Sequence, residues 1–599
     1  MKNPSRLSLF CVLVPTLIVV FLATLPQLNV WLVKGSAWQG AYVASNYDEV
    51  AYSAYTNSII DGRPRKNDPF VGRDNVEGET LFSIQFVPAL VTAWTAKLLG
   101  MSTSSVFILL NFLIAIFSSL AIFFLIHGVT GDDRFAAAGV VVVLLFGTAV
   151  AFQGELRHMV LGNYLCDFFP FLRRYQPGFA FPLFFVFCLF VYRSLTSEEG
   201  RLGVIYAAIA GGVFCVIVFS YFFLWTAAAA WLGVFALLWL LFRPEFRGRS
   251  LVRICVTGAL ALAAIVPFFV LLAGREKKMD DVQLLDLTRA PNLFELPEIL
   301  GTIVVIGLVW LVRKGRVNSN SPAVLIAAAF AVTPFVLFNQ QVLTGRSLQP
   351  VHYEIFIANY MILTAAMILL WLFASSTGEL SSPKWRRAVV YLGVAAVIWG
   401  FVESSATARR NAGYEGLRDD SMAVLKYLHD SEPARPSAAG EYPTVLSTNL
   451  MVADFIPTVT SYRSLWNPHT NSAGGVDQKE NRELFYRFMY FSGFGEADLA
   501  RAIDEPLYEV VAALFGGGRA LPELGGSGEK ITAREKQAEI AKYRDYVSKF
   551  DAAHAYSPEL KFIIVPAEAE PDLANLDRWY RRDGGQTFGL FRLYRLTRR

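Results

Sequence analysis

Long apolar runs dominate this sequence, and each is long enough to cross a bilayer. A hydrocarbon core of about 30 Å is spanned by about 20 apolar residues in a helix. Apolar residues make up 54% of the 599 residues and charged residues only 17%, a charge content low for a soluble protein. The sequence predicts an integral membrane protein with about eleven spans, whose apolar runs centre near residues 20, 116, 144, 187, 211, 232, 262, 304, 330, 365 and 395.

The connections between these runs alternate in charge, which predicts the topology. Short basic connections are expected in the cytoplasm, because cytoplasmic loops carry an excess of Lys and Arg. The longer, mixed connections 153–178, 274–295 and 339–353 are then extracytoplasmic. Lys2 and Arg6 place the N-terminus inside. The basic residues that define the cytoplasmic turns are Arg134, Arg193, Arg201, Arg243, Arg247, Arg249, Arg313, Lys314, Arg316, Lys384, Arg386 and Arg387.

For two apolar segments, the first run of the chain and residues 82–99, length alone does not show whether the segment is a membrane span. A cleavable signal peptide has the same start as this chain, but the run from Leu7 to about Val33 is too long for a typical signal core, so we predict a retained first span. Residues 82–99 would invert the basic-loop pattern if they crossed the membrane. Their polar residues also favour an interfacial helix. The result is about eleven spans with the N-terminus inside and the C-terminus outside.

The sequence changes character near residue 404. Charge rises beyond this point and apolar runs shorten to strand length. Residues 442–449, 561–566 and 589–596 have strand patterns, 421–430 has a helical pattern, and Thr532 with Glu535 fits a capping box that opens a helix to about Phe550. We therefore predict an all-α membrane domain over 1–403, whose first outer loop covers 34–103, followed by a small extracytoplasmic α/β domain over 404–599.

The first outer loop contains the most informative polar residues. If the stretch from Asp48 is helical, Asp48, Tyr52 and Tyr55 share one face, and Glu49 points about 100° away. A carboxylate beside two aromatic rings suits a sugar hydroxyl or another polyol, because the carboxylate can accept a proton while the rings pack on apolar sugar faces. The alternative is an ordinary solvated or helix-capping pair of acidic residues.

The order of features over about the first 200 residues resembles the GT-C glycosyltransferases. These polytopic enzymes take sugars from polyprenyl-phosphate carriers, and the similarity is greatest to the protein O-mannosyltransferase and aminoarabinose-transferase branch. The matching elements are one span, the acidic pair Asp48 and Glu49, an interfacial helix ending in LLGMSTSSVF (98–107), and a later span that leads into HGVTGDDRFAAAGVVVVLL (127–145), similar to the family's Gly-Asp-Arg cytoplasmic turn. The match is one of order and topology more than of residue identities.

The resemblance implies a role for the acidic pair and a donor with a lipid phosphate. Asp48 matches the residue that acts at the acceptor as general base or activator, and Glu49 would support it. A lipid phosphate requires cations at the outer surface, where Arg can bind phosphate oxygens bidentately. The alternative for each cation is interaction with lipid headgroups. The predicted phosphate-binding residues are Arg173, Arg174, Tyr175, Arg346 and His352.

Glu155 and Asp167 lie in the same outer segment as Arg173. The resembling family often has a second acidic residue in this loop, which could bind the acceptor, orient Asp48 or help to hold a divalent metal. No motif in the sequence has the spacing of a dedicated metal site, so no cofactor is assigned and a divalent metal stays open. Nucleic acid is not an expected partner, since the net charge is only +4 and no binding motif is present.

Three functions are compatible with these features. The leading hypothesis is an inverting glycosyltransferase, a hexosyl- or pentosyltransferase of the bacterial inner membrane. It transfers a sugar from a polyprenyl-phosphate donor to an extracytoplasmic lipid, glycan or protein. The second is a transporter or flippase, although charged residues are scarce within the spans and no matched halves are visible. The third is a non-catalytic assembly protein whose extracytoplasmic domain binds a partner.

Overall fold

The computed structural model describes residues 8–44, 46–164, 169–243, 245, 247–437, 440–505, 507–521, 529–568 and 571–599. The chain forms two compact units, each assembled from segments distant in sequence. The first unit comprises Met1–Leu32, Ile108–Val270 and Leu287–Asn411, and the second comprises Val33–Phe107, Leu271–Asp286 and Ala412–Arg599. The predicted N-terminal cations Lys2 and Arg6 lie outside the described residues.

The first unit is helical, as the long apolar runs predict. Its helices are Leu9–Lys34, Thr103–Thr130, Asp133–Leu145, Gly147–Val150, Gly154–Leu161, Ala180–Thr196, Gly200–Val218, Phe222–Phe242, Arg247–Ala273, Leu296–Arg313, Pro322–Thr344, Pro350–Tyr353, Asn359–Ser376 and Pro383–Arg410, with a π-helical turn over Glu354–Ala358 and a short strand over Ser347–Leu348. Within the described residues, nine helices are long and apolar enough to cross a membrane. Helices also lie at the two other predicted centres, but Ala180–Thr196 has 17 residues and Asp133–Leu145 only 13.

The first unit is helical because hydrocarbon offers no hydrogen-bond partners to the backbone, so the backbone groups must bond to one another within each helix. Buried and exposed side chains then lie on different faces of the helix. On Arg247–Ala273, the small residues Ala261 and Ala264 are buried in the unit, whereas Leu262, Val266 and Val270 are 60–68% exposed. Their spacing of four residues forms one continuous apolar stripe along the helix. Such a stripe is suited to lipid, which confirms the predicted class of fold.

The second unit is built around a mixed sheet. Its helices are Asp48–Ile60, Leu81–Ile84, Val87–Leu99, Lys278–Val282, Ala412–Ser431, Leu450–Val459, Gln478–Phe491, Glu496–Asp504, Tyr508–Phe515, Gly517–Ala520, Ala533–Ser548, Ala552–Tyr556 and Ala574–Asp577. Within the described residues, its sheet has the order Arg463–Ser464, Thr444–Ser447, Leu560–Pro566, Phe591–Arg598 and Tyr580–Arg582; Gln586–Phe588 also pairs with Phe591–Arg598, and a further short strand covers Leu285–Asp286. The first three strands are parallel, and Leu560–Pro566 pairs antiparallel with Phe591–Arg598.

Both faces of this sheet are covered, because alternate residues of a strand point to opposite sides. Phe562 and Ile564 belong to one apolar core, and Ile563 and Val565 belong to the other. Val50 joins the core of Phe562 and Ile564. The helix Asp48–Ile60 is therefore anchored in the same core as the C-terminal strands.

The predicted C-terminal elements are present. The strands Thr444–Ser447, Leu560–Pro566 and Phe591–Arg598 lie at or beside the three predicted segments, and Ala412–Ser431 extends the predicted helix. The capping box is confirmed as well: Thr532 accepts a hydrogen bond from Glu535 N, and the Glu535 side chain accepts one from Thr532 N.

The segment predicted to lie at the interface contains the helix Val87–Leu99. Its 13 residues extend about 20 Å, less than the thickness of a hydrocarbon core. One face is packed through Ala89, Ala93 and Ala96, while Trp94 and Leu98 are exposed. A short helix with an exposed tryptophan and apolar neighbours has the pattern of an interfacial helix.

The chain that leads into Asp48 is held by the helix Ala412–Ser431. Asp419 accepts hydrogen bonds from the backbone amides of Gln39 and Ala41, and Glu415 accepts one from that of Ala44. Arg418 lies 3.7 Å from the ring centroid of Tyr42 and donates to its carbonyl. Charged partners make such hydrogen bonds roughly twice as strong as neutral ones.

Replacing Asp419 with Ala is expected to destabilise the second unit by about 2–3 kcal/mol, because charge-assisted bonds to two backbone amides are lost. The neighbouring Asp420→Ala is the matched control. It removes only a partly exposed ion pair with Lys34, which is worth about 0–1 kcal/mol. Thermal unfolding of the purified full-length protein in detergent measures the difference. Equal midpoint shifts in the two variants would show that Asp419 has no special structural role.

Candidate active site

Asp48 begins the helix Asp48–Ile60 and its side chain is exposed. The Asn46 side chain accepts a hydrogen bond from Asp48 N at 2.9 Å, which satisfies one amide at the start of the helix. A carboxylate in the first turn is favoured by the positive end of the helix dipole. Glu49, the next residue, is fully buried. Adjacent acidic residues thus face different environments, as the helical periodicity predicts.

The two tyrosines predicted beside Asp48 lie in the packing of the second unit. Tyr55 donates a hydrogen bond to Asp68 and stacks on Phe82 with ring centroids 3.7 Å apart. Tyr52 meets the same Phe82 ring edge-on at 5.9 Å. Both tyrosines are buried and share Phe82 as a neighbour. Their predicted contact with a sugar stays a prediction.

A buried histidine and aspartate lie next to the start of this helix. His469 Nδ1 donates to Asp454 Oδ2 at 2.6 Å, and His469 N donates to Asp454 Oδ1 at 3.3 Å. The Tyr47 ring stacks on the His469 ring with centroids 4.8 Å apart, and Phe70 stacks on it at 5.2 Å. The imidazole is thereby held by one carboxylate and two aromatic rings, and one of these rings belongs to Tyr47, the residue before Asp48.

Electrostatics favour the protonated form of this histidine. Burial alone lowers the pKa of His469, but the charge and hydrogen bond of Asp454 raise it, and the charges of Asp48 and Asp68 add to this effect. The net result is a pKa above the ordinary 6.5. Asp48 also helps, after burial, to raise the pKa of Tyr508 to about 12. The exposed carboxylate therefore lies within electrostatic range of the buried imidazole of His469 and of the Tyr508 phenol.

Asp68 connects this cluster to two other segments. In addition to Tyr55, its carboxylate accepts hydrogen bonds from the amides of Phe70 and Gly474. Lys278 Nζ donates to the carbonyls of Thr470 and Ala473 at 3.1 and 3.2 Å. Burial lowers the pKa of Lys278 to about 8, although nearby acidic residues, Asp68 first among them, oppose the shift. The structure thus brings together residues from the first outer loop, the third outer loop and the C-terminal domain.

Sequence reasoning did not identify the His469 and Asp454 pair. The available signal was Asp454 itself, a lone carboxylate within the apolar helix Leu450–Val459. A charge buried in apolar surroundings needs a partner. That partner is 15 residues away in sequence, so local spacing could not reveal it.

The predicted phosphate-binding residues lie in the first unit, and two of them share a ring. Arg173 lies over the Phe356 ring at 4.5 Å from its centroid, and the His352 ring stacks on the same residue at 5.3 Å. Arg173 also donates to the carbonyl of Gln176 at 2.6 Å. The predicted outer connections 153–178 and 339–353 therefore approach each other beside Phe356. This places a cation beside an imidazole, a combination suited to an anion.

Arg174 and Tyr175 follow in the same buried loop. Tyr175 has φ of +72°, a conformation that costs a non-glycine residue about 1–3 kcal/mol and persists only where surrounding packing enforces it. Burial raises the pKa of Tyr175 above its usual range. Arg346 differs from these residues because it is exposed, immediately after the helix Pro322–Thr344.

Of the two additional acidic residues predicted at the site, Glu155 and Asp167, the structure describes only Glu155. Glu155 forms an ion pair with Arg410 and accepts a hydrogen bond from Tyr164 at 2.5 Å, so its carboxylate already has partners within the first unit. Asp167 lies outside the described residues. Within the described ranges, no group of three or more His, Cys, Asp and Glu side chains is arranged to hold a metal ion.

Comparisons with known proteins give matches only among solved structures. The chain matches no protein-family model and no curated protein. It is similar to the oligosaccharyltransferase of Archaeoglobus fulgidus tethered with an acceptor peptide, with 13% identity and a TM-score of 0.43 over 98% of this chain and 74% of that chain. It is also similar to the archaeal oligosaccharyltransferase AglB from the same organism in complex with an inhibitory peptide and a dolichol-phosphate. Here the identity is 14% and the TM-score is 0.41, over 98% of this chain and 74% of that chain.

A third similar structure is ArnT from Cupriavidus metallidurans bound to undecaprenyl phosphate. The identity is 14% and the TM-score is 0.38, over 96% of this chain and 97% of that chain. These proteins are of the kind that the sequence features resemble, and the predicted resemblance is confirmed to that extent. With TM-scores below 0.5, the likeness carries no argument about the substrates or catalytic residues of this chain.

The raised pKa of His469 predicts a pH-dependent stability. A histidine with a higher pKa in the folded state stabilises the protein below pH 6.5, and this contribution is lost as the pH rises through the folded-state pKa. His469→Gln should therefore lose stability relative to the wild type at low pH, with a smaller difference above the folded-state pKa. Thermal unfolding between pH 5.5 and 9 tests this, with the exposed His429→Gln as control. A pH-independent difference would contradict it.

Proposed function

We propose that this protein is a membrane glycosyltransferase that transfers a sugar from a polyprenyl-phosphate donor to an extracytoplasmic acceptor. The observation that carries the proposal is the setting of Asp48. Its carboxylate is exposed at the start of a helix that is anchored in a rigid core, while the adjacent Tyr47 stacks on a buried histidine. A reactive carboxylate needs both access to substrate and a fixed position, and this setting supplies both.

In the proposed reaction, Asp48 accepts the proton of the acceptor nucleophile as that nucleophile attacks the anomeric carbon of the sugar. A bond forms between the nucleophile and this carbon, and the bond from the carbon to the phosphate oxygen breaks. The electron pair leaves with the polyprenyl phosphate. Attack from the face opposite the phosphate inverts the anomeric configuration. General base catalysis of this kind typically contributes 10²–10⁴-fold in rate.

The leaving phosphate needs positive charge more than it needs a proton, because its negative charge increases as the bond breaks. We assign this role to the predicted cations Arg173, Arg174 and Arg346. His352 and Tyr175, which belong to the same predicted set, would donate hydrogen bonds to the phosphate. The contact of Arg173 and His352 with one phenylalanine supports the assignment. Glu49 is buried behind Asp48, where it would support the helix start and not contact substrate.

Replacing Asp48 with Asn should lower transfer at least 100-fold while donor binding persists, because the amide keeps the shape of the carboxylate but cannot accept the proton. The assay uses purified protein in proteoliposomes with undecaprenyl-phosphate-linked hexoses and pentoses, and a cell-envelope extract as the source of acceptor. The measured quantity is free undecaprenyl phosphate released together with labelled product.

The matched control for this variant is Asp430→Asn, which changes an exposed carboxylate in the same unit. It should transfer at the wild-type rate. Near-wild-type transfer by both Asp48→Asn and Asp48→Ala would remove Asp48 from the mechanism. Movement of the donor across the bilayer without any covalent product would instead favour the transporter hypothesis.

Replacing Arg346 with Gln should lower kcat/KM for the donor about tenfold or more, since one charge-assisted contact to phosphate is worth about 1.5–3 kcal/mol. Part of this loss should fall on kcat, because the charge on the leaving phosphate grows in the transition state. Arg346 is suited to this test because it is exposed, so its loss should not disturb folding. Arg313→Gln, at a predicted cytoplasmic turn, is the control. An unchanged kcat/KM for the donor would assign the phosphate to other cations.

A further inference from the structure

The first unit contains a groove of about 650 Å³ along the helices Leu9–Lys34, Asp133–Leu145 and Pro383–Arg410. Its volume lies within the range of about 300–1,000 Å³ that is typical of small-molecule sites. Its long walls are apolar and include Ile18, Val141, Val394 and Ile398. Among the described residues, charged side chains line it only at the end where the second and third of these helices begin. The groove is therefore amphipathic along its length.

The charge at the polar end is net positive, because the charged side chains among the described residues that line it are Asp132, Arg134 and Arg386. Asp132 accepts hydrogen bonds from the amides of Arg134 and Phe135 and so caps its helix. Asp133 accepts one from Ser8 N at 2.7 Å and lies 3.0 Å from His127 Nδ1. Both carboxylates thus already have partners within the protein.

The two arginines that line this end have no such partners. Both Arg134 and Arg386 are exposed, and within the part of the chain that the structure describes neither guanidinium makes a hydrogen bond or an ion pair. Trp385, the residue before Arg386, also lines the groove, and its ring stacks on Phe135 with ring centroids 6.0 Å apart. Tryptophan is enriched where a membrane changes from headgroup to hydrocarbon.

We propose that this groove is a binding site for an anionic phospholipid. The headgroup phosphate is bound by Arg134 and Arg386, and an acyl chain lies along the apolar walls. The two cations are complementary to a phosphate with a net negative charge, and basic pockets between membrane helices on the cytoplasmic side bind such headgroups. Both arginines belong to turns that the sequence predicts to be cytoplasmic. The lipid is accordingly one of the cytoplasmic leaflet, and the site is independent of the proposed sugar transfer.

The test uses full-length protein stripped of lipid and titrated with dioleoyl-phosphatidylglycerol or dioleoyl-phosphatidylcholine, with bound lipid counted by native mass spectrometry. The wild type should retain phosphatidylglycerol in preference to phosphatidylcholine. The double variant Arg134→Gln/Arg386→Gln should bind phosphatidylglycerol about 30-fold more weakly, from about fivefold for each cation removed. Equal retention of the two lipids by the wild type would overturn the proposal.

A matched control separates this site from general attraction to a basic surface. Arg313→Gln/Arg316→Gln removes two cations from another predicted cytoplasmic turn and should leave the affinity unchanged. If this pair weakens binding as much as the groove pair does, the proposal fails. It fails equally if the groove pair has wild-type affinity.

A second variant tests the apolar walls. Gly393 lines the groove, and a Cβ added there would contact Val141 at an ordinary 3.6 Å, so a larger side chain fills the groove without a backbone clash. Gly393→Leu should abolish the retained phosphatidylglycerol while both arginines remain. Unchanged retention by this variant would show that the lipid lies elsewhere.

Discussion

Buried backbone polar groups must find partners within the protein, and this requirement shapes both units. In the first unit the partners are intrahelical, because hydrocarbon offers none. In the second unit, residues 38–44, which lead toward Asp48, form neither helix nor strand. Carboxylates of Glu415 and Asp419 accept hydrogen bonds from amides of this segment. The position of Asp48, and with it the proposed chemistry, depends on these charge-assisted hydrogen bonds.

The candidate active site combines exposure with rigidity. Asp48 is accessible, yet the residues on either side of it are fixed: Tyr47 by stacking on His469 and Val50 by the core of the sheet. The hydrogen bond between His469 and Asp454 holds the imidazole on which Tyr47 stacks. A group that is fixed in position before substrate binds needs no reorganisation during the reaction. The C-terminal segment thus supplies part of the surroundings of Asp48.

Three arginines in the first unit illustrate two uses of the same residue type. Arg173 is buried, donates to a backbone carbonyl and lies over Phe356, so its position is fixed before any ligand binds. Arg134 and Arg386 are exposed at the end of an apolar groove, and the nearby acidic residues are already paired. The first arrangement suits a phosphate that must be held during a reaction. The second suits a lipid that exchanges with the bilayer.

The sequence alone determined the membrane-spanning class and the main strands of the α/β domain, whereas the interfacial position of residues 82–99 stays a prediction. These follow from local periodicity and from the length of apolar runs, which are properties of contiguous residues. The apolar runs predicted about eleven spans, whereas nine of the described helices are long and apolar enough to cross a membrane. Asp133–Leu145, at one of the predicted centres, is shorter than a bilayer core. Helical periodicity also predicted that Asp48 and Glu49 point in different directions, and in the structure Asp48 is exposed and Glu49 is buried.

Only the tertiary structure decided which distant residues meet. It buried Tyr52 and Tyr55 against Phe82, united His469 with Asp454 beside Tyr47, and brought Arg173 and His352 to one aromatic ring. It also gathered three helices into a groove with one charged end. The physical reason is that side-chain burial and charge pairing depend on packing between segments far apart in sequence, whereas helix and strand formation depend mainly on neighbours along the chain.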